Sequence, residues 1–211
     1  MPESGFARSF ARTVGHDLRS PLNKVAAFAE ALQEDLGPRL EGADAKLLGY
    51  LVASASEAQA KLERLSQWGR LEPRVDATRV ALDACVEAAL ADDSEFVRTP
   101  WPDVPGNAEQ LTLLVRELVV NARAYGDAPF RFTRENGVLG VLDGGSGIPA
   151  EFRQRAFDPL QRLESQASCP GAGLGLSIAA RIVELYGGEI WIEDGPEGGA
   201  HVRFTLGAPR P

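Results

Sequence analysis

Two long runs of helical periodicity constrain the first third of the chain. From Phe6, apolar residues recur at steps of three and four, at Phe10, Val14, Leu18, Leu22, Val25, Phe28, Leu32 and Leu36, which predicts one stripe of a long amphipathic helix. Gly37-Pro38 ends it. A second stripe, Leu47, Leu48, Leu51, Val52, Ala55, Ala58, Leu62, Leu65 and Trp68, predicts a helix from about Ala43 to Arg70. The short connection makes the pair an antiparallel hairpin. Two stripes of this length cannot bury each other well within one hairpin. The pattern therefore predicts a homodimer in which residues 1–70 of two copies close a four-helix bundle, the alternative cover being the rest of the chain.

His16 lies between Val14 and Leu18, about half a turn off the stripe, so it points away from the apolar face. Asp17 follows it directly, and Pro21 should bend or loosen the helix just beyond, because proline removes a backbone donor and crowds the preceding turn.

The texture changes after the predicted linker, residues 71–76. Arg79–Ala91 reads as a helix, Thr99–Gly106 with its three prolines as a loop, and Asn107–Tyr125 as a helix with Leu111, Leu114, Val115, Leu118 and Val119 on its apolar face. Phe130–Thr133 and Val138–Leu142 read as strands joined by an Asn136-Gly137 turn. Leu174–Tyr186 reads as a helix, and Glu189–Glu193 with Ala200–Leu206 as a last strand pair. Residues 77–211 thus predict a second domain of hairpin-paired strands with helices on one face, and the chain as a whole an α+β architecture.

Net charge is −8 and the pI is near 4.9, a poor basis for binding nucleic acid or an anionic membrane. Cys85 and Cys169 lack metal spacing and read as reduced thiols. No stretch is apolar enough to span a membrane, and Met1–Gly5 lacks a signal-peptide pattern, so a cytoplasmic location is expected.

Three features of the second domain carry possible chemistry. Glu117 and Asn121, four apart, share a helix face; an amide oxygen suits Mg²⁺, and the neighbouring carboxylate suits a metal-bound water or a base, although a solvated polar face explains the pair as simply. Asp143-Gly144-Gly145-Ser146-Gly147 follows a strand, where a carboxylate can accept from an exocyclic amine such as adenine's and glycines admit a flat ligand; a flexible turn is the alternative. Gly171, Gly173 and Gly175 open a helix whose exposed N–H groups suit a triphosphate, without the strand context of a dinucleotide fold or the lysine of a P-loop. His201, in a terminal strand with no acid at useful spacing, reads as a solvated strand residue, and Trp68, Trp101 and Trp191 as packing.

The order of these pieces resembles the catalytic ATP-binding domain of sensor histidine kinases, the fold shared with gyrase, Hsp90 and MutL, over residues 75–207. The hairpin resembles the dimerisation and phosphoacceptor domain of the same family, with His16–Leu22 as its histidine box, and its text is most like phytochrome-type and related soluble kinases. The resemblance implies that His16 accepts the γ-phosphoryl group of ATP while Asp17 holds the other ring nitrogen's proton. It implies Asn121 as the Mg²⁺ ligand beside Glu117, and Asp143 as the adenine reader with Gly145 and Gly147 shaping the pocket floor. Arg162 would reach the γ-phosphate, and Gly171, Gly173 and Gly175 would cradle phosphates and hinge a lid. The implied partners are a second copy, an upstream sensor domain or protein, and a response-regulator receiver domain whose aspartate takes the phosphoryl group.

Several positions depart from the family pattern. Ala124 stands where a phosphate-holding lysine is common, with Arg123 beside it on another face. The usual Asp-Asn-Gly reads Asp143-Gly144-Gly145. The lid, Glu164–Pro170, is short, and the brevity of Asp92–Gly106 suggests a missing edge strand. Ser20 stands where phosphatase-competent members carry Thr or Asn. The alternatives are a histidine phosphotransfer relay or scaffold that does not use ATP, and a gyrase-like ATPase that activates water through Glu117 and Asn121.

Overall fold

The computed structural model describes residues 3–73, 78–90, 95–161 and 173–207, with side chains from residue 9 onward. The chain divides into two compact units, residues 1–70 and 71–211. Part of the expected linker, residues 74–76, lies outside the described residues.

The first unit is a helical hairpin of α1 (Glu3–Asp17), α2 (Arg19–Leu36), a 3₁₀ turn over Gly37–Arg39, and α3 (Gly42–Arg70). The helix breaks at Leu18, one residue after Asp17. Backbone bonds from Leu18 N to Val14 O (3.0 Å) and from Leu22 N to Leu18 O (3.1 Å) bracket the break. Pro21, with no N–H, cannot bond the Asp17 carbonyl between them. Among the described side chains of the hairpin the buried residues are small, namely Ala11, Gly15, Ala26, Ala29, Ala55, Ser66 and Gly69, with Leu62 the large exception. Many of the large members of the predicted stripes stay exposed, including Phe10 at 59%, Phe28 at 70% and Leu47 at 64%, while Leu22, Leu48, Leu65 and Trp68 are half-buried.

The second unit is a sandwich. A five-stranded sheet runs in the order β2–β4–β5–β7–β6, with β2 (Phe96–Val97) parallel to β4 (Phe130–Glu135) and the other pairs, through β5 (Val138–Leu142), β7 (Ala200–Phe204) and β6 (Ile190–Asp194), antiparallel. Strand alternation turns Phe130, Phe132, Leu139, Val141, Ile192, Val202 and Phe204 inward. They meet the apolar faces of α4 (Leu82–Leu90), α5 (Ala108–Tyr125) and α7 (Gly175–Leu185), where Leu111, Leu114, Val115, Leu118, Ile178, Ile182 and Val183 are essentially inaccessible. Asn107 caps α5 through Oδ1, which accepts from Gln110 N at 3.1 Å. The short α6 (Ala150–Arg153) and a 3₁₀ turn over Arg155–Phe157 lead towards α7.

Three expectations are corrected. Arg79–Ala91 is not one helix: Arg79–Ala81 is a strand, β1, followed by α4. Thr99–Gly106 is not all loop: Asp103–Pro105 is β3, paired antiparallel with β1 in a separate two-stranded sheet, where Pro105 is tolerated at a strand end. The edge strand is present as the two-residue β2. All three are pieces too short to show a period, and they exist only through pairing with distant residues. No described helix is long and apolar enough to cross a membrane.

Candidate functional site

The break at Leu18 leaves His16 on the last turn of α1, with its side chain 81% exposed and Asp17 beside it at 69%. His16 Nδ1 lies 3.0 Å from Asp17 Oδ1. A carboxylate only accepts, so a neutral imidazole in this pair carries its proton on Nδ1 and presents the lone pair of Nε2. A polar contact this exposed adds little stability. Its effect is on the tautomer and on ring orientation.

In the second unit, Asp143 is buried, at 6% exposure, just after β5. Its Oδ1 accepts from Gly145 N at 2.9 Å and Ala200 N at 3.0 Å, and its own N–H donates to Ala200 O at 3.0 Å. Both side-chain bonds fall on Oδ1, so they orient the carboxylate while Oδ2 carries neither. The backbone crowds this group closely. A Cβ on Gly126 would meet Asp143 Cγ at 2.5 Å, and one on Gly199 (φ +79°) would meet Asp143 O at 2.0 Å. Gly147 adopts φ +74°, and a Cβ on Gly145 would lie 2.8 Å from Gly126 Cα. Asp143, Gly145 and Gly147 thus form one cluster against the end of α5 and the start of β7. Sequence reading did not single out Gly126, Gly199 or Ala200; Gly198-Gly199 was visible only as a glycine-rich turn between strands.

Glu117 is buried, at 3% exposure, on α5, and Asn121 follows one turn later and is half-buried. A Cβ on Gly175 would lie 3.2 Å from Glu117 Oε2, so the first turn of α7 faces this carboxylate. That turn begins at Leu174 with no side-chain cap. Its first N–H groups therefore keep the character of an anion site. Gly173 (φ +65°) accepts from Leu160 N at 2.9 Å through its carbonyl. Arg162, Gly171 and the segment Glu164–Pro170 lie outside the described residues. Arg123, next to Ala124, is turned towards the edge strand: it pairs with Glu95 at 3.1 Å and lies 5.9 Å from the ring centroids of Phe96 and Phe130.

Residues 106–210 match the family described as histidine kinase-, DNA gyrase B-, and HSP90-like ATPase. Over 222 residues the chain is 32% identical to the sensor-type histidine kinase PrrB of Mycobacterium leprae (strain TN), covering 96% of this chain and 48% of that one. Residues 106–210 belong to this ATPase family, and the chain as a whole is similar to sensor histidine kinases. Another relative is cyanobacterial phytochrome A of Nostoc sp. (strain PCC 7120 / SAG 25.82 / UTEX 2576), 26% identical over 94% of this chain and 28% of that one. The chain thus spans about half the length, or less, of these two relatives. Among solved structures, full-length ShkA in complex with AMPPNP aligns with a TM-score of 0.68 at 20% identity, over 96% of this chain and 47% of that one. The Acinetobacter baumannii histidine kinase AdeS aligns at 0.56 with 19% identity, over 90% and 97%. At these identities the structural matches speak for the fold alone: a helical unit followed by an α/β unit.

Proposed function

We propose that this chain is an ATP-dependent protein-histidine kinase, acting as a homodimer in the cytoplasm. It autophosphorylates on His16 and passes the phosphoryl group to an aspartate of a response-regulator receiver domain. The observation that carries this reading is the His16–Asp17 pair, an exposed imidazole whose Nδ1 is engaged at 3.0 Å, which leaves Nε2 as the attacking nitrogen. In the transfer, the Nε2 lone pair forms the N–P bond as the bond from the γ-phosphorus to ADP's oxygen breaks, and the electron pair leaves with ADP. Asp17 stabilises the positive charge that develops on the ring through the Nδ1 proton.

In the second unit, Asp143 Oδ2 accepts from the adenine amine, and the first turn of α7 faces the phosphates. The donor set fits Mg²⁺: Asn121 supplies a neutral amide oxygen, with the buried Glu117 carboxylate one turn earlier on the same helix. When bound, the ion neutralises charge on the phosphates. Arg162 and Gly171 are proposed as further phosphate contacts on the family pattern alone.

Incubation with γ-labelled ATP and Mg²⁺ tests the proposal. The parent should take up acid-labile, base-stable label, His16→Gln should take up none, and Asn121→Ala should lose at least tenfold in rate. Label surviving in His16→Gln would sink the assignment. A second reading, a relay that does not use ATP, is favoured by Ala124 at the family's lysine position and by the engagement of Arg123 with Glu95. It predicts no ATP binding by calorimetry.

A further inference from the structure

Gly15 is buried although the side chain of its neighbour His16 is 81% exposed. A Cβ built on Gly15 would lie 2.1 Å from Ser66 Oγ, 3.2 Å from Ser66 Cβ and 3.4 Å from Ser66 Cα. Rotating the hydroxyl away would relieve the first of these contacts, but the 3.2 Å approach to Ser66 Cβ would stay tight, while 3.4 Å to Cα is ordinary contact. Ser66 itself is 2% exposed, and its hydroxyl has no hydrogen-bond partner among the described residues. Both residues are locally unfavourable. Glycine inside a helix forfeits conformational entropy, and a buried hydroxyl without a partner forfeits its hydration. What the pair provides is close approach of the α1 and α3 backbones at the turn that bears His16.

Immediately beyond Asp17 the helix breaks, and Pro21 removes the bond that would have tied the Asp17 carbonyl forward. The His16 turn is therefore weakly held from its C-terminal side. Its nearest buried fixed point is Gly15 against Ser66.

We propose that Gly15 and Ser66 form a close-packed seat that sets the position of the His16 ring relative to α3, which makes them positioning residues for phosphoryl transfer. The proposal rests on the phosphoacceptor reading of His16. A methyl group at Gly15 would lever the turn away from α3. Removing the Ser66 side chain would make room for it.

The test uses the full chain and two readouts. In the first, Gly15→Ala lowers the initial rate of labelling from γ-labelled ATP at least fivefold without changing ATP affinity by calorimetry, since the nucleotide residues lie in the other unit. Adding Ser66→Gly to Gly15→Ala restores the rate to within about twofold of the parent. Alanine ordinarily favours a helix over glycine, so a loss reversed by Ser66→Gly reports space and not helix propensity. In the second, the His16 ring resonance, assigned in histidine-labelled protein by comparison with His16→Gln, shifts in Gly15→Ala and returns in the double variant. The seat is overturned if Gly15→Ala labels at the parental rate per folded molecule, or if the double variant is no faster than Gly15→Ala alone. Should the parent take no label at all, the kinase reading falls and the ring resonance decides the seat alone: a shift that returns supports it, and an unmoved resonance ends it.

Discussion

His16 is exposed beside a carboxylate, whereas His201 is half-buried on the outer face of the sheet, with Nε2 2.8 Å from Thr133 Oγ1. Gly140 lies beneath that ring; a Cβ there would come within 2.8 Å of His201 Nε2. Burial pushes the His201 pKa below the ordinary histidine value, Arg203 lowers it further, and Glu193 and Glu135 partly offset both. An unfolded chain takes up a proton on this residue near the ordinary value, about 6.5, before the folded chain does. His201 therefore costs the fold nothing at neutral pH and destabilises it progressively as pH drops through and below that value. His201→Gln should flatten the acid limb of stability between about pH 7 and 5 in chemical denaturation. An unchanged difference between parent and variant across that range would refute the assignment. The reading of His201 as a solvated strand residue thus needs amendment, because alternation put it on the outer face but could not show that Thr133 and Gly140 receive it there.

Trp101 shows how an element too short to be seen in sequence is held in place. Pro100 and Pro102 flank it, and β3 begins two residues later. Its ring meets Phe132 and Phe204 edge-on at 5.2 and 5.5 Å, its indole N–H donates to Thr133 O at 3.0 Å, and its backbone N–H donates to Asp83 Oδ1 at 2.8 Å. The side chain is 4% exposed. Trp101→Ala should cost about 3–5 kcal/mol in urea unfolding; Trp101→Phe, which keeps an aromatic ring but not the donor, should cost markedly less. A cost under about 1 kcal/mol for the alanine variant would show that the ring is not a core anchor. The long helices and the Asn136-Gly137 hairpin were legible because their periods and turn chemistry are local. β1, β2 and β3 were not, since two or three residues carry no period and acquire their identity from partners up to thirty-odd positions away. The Asp143 cluster was half legible. The carboxylate and its following glycines stand together in the chain, but Gly126, Gly199 and Ala200, which pack against or bond it, come from other elements.

At the scale of the molecule, the hairpin leaves Phe28, Leu47 and Tyr50 more than 60% exposed, with Leu32 and Leu51 at 44%. Mostly small residues fill the space between its helices, so these large ones face outward. Such a face fits the proposed second copy. Phe28→Glu and Leu32→Glu together should weaken self-association at least tenfold in analytical ultracentrifugation while helix content by circular dichroism is retained. A parent that is monomeric at high micromolar concentration would remove the basis for the four-helix bundle.

The sequence by itself determined the two-part organisation, the hairpin, the α/β character of the second unit and the residue types available for chemistry. All of these come from period, turn residues and local spacing, which are properties of neighbours along the chain. The tertiary structure alone decided which side chains meet. It put mostly Ala, Gly and Ser inside the hairpin, with Leu62 the large exception, seated Gly15 on Ser66, fixed Asp143 through Ala200, and turned Arg123 towards Glu95. Those outcomes depend on the close packing of residues far apart in sequence, where a single Cβ decides whether two backbones can touch.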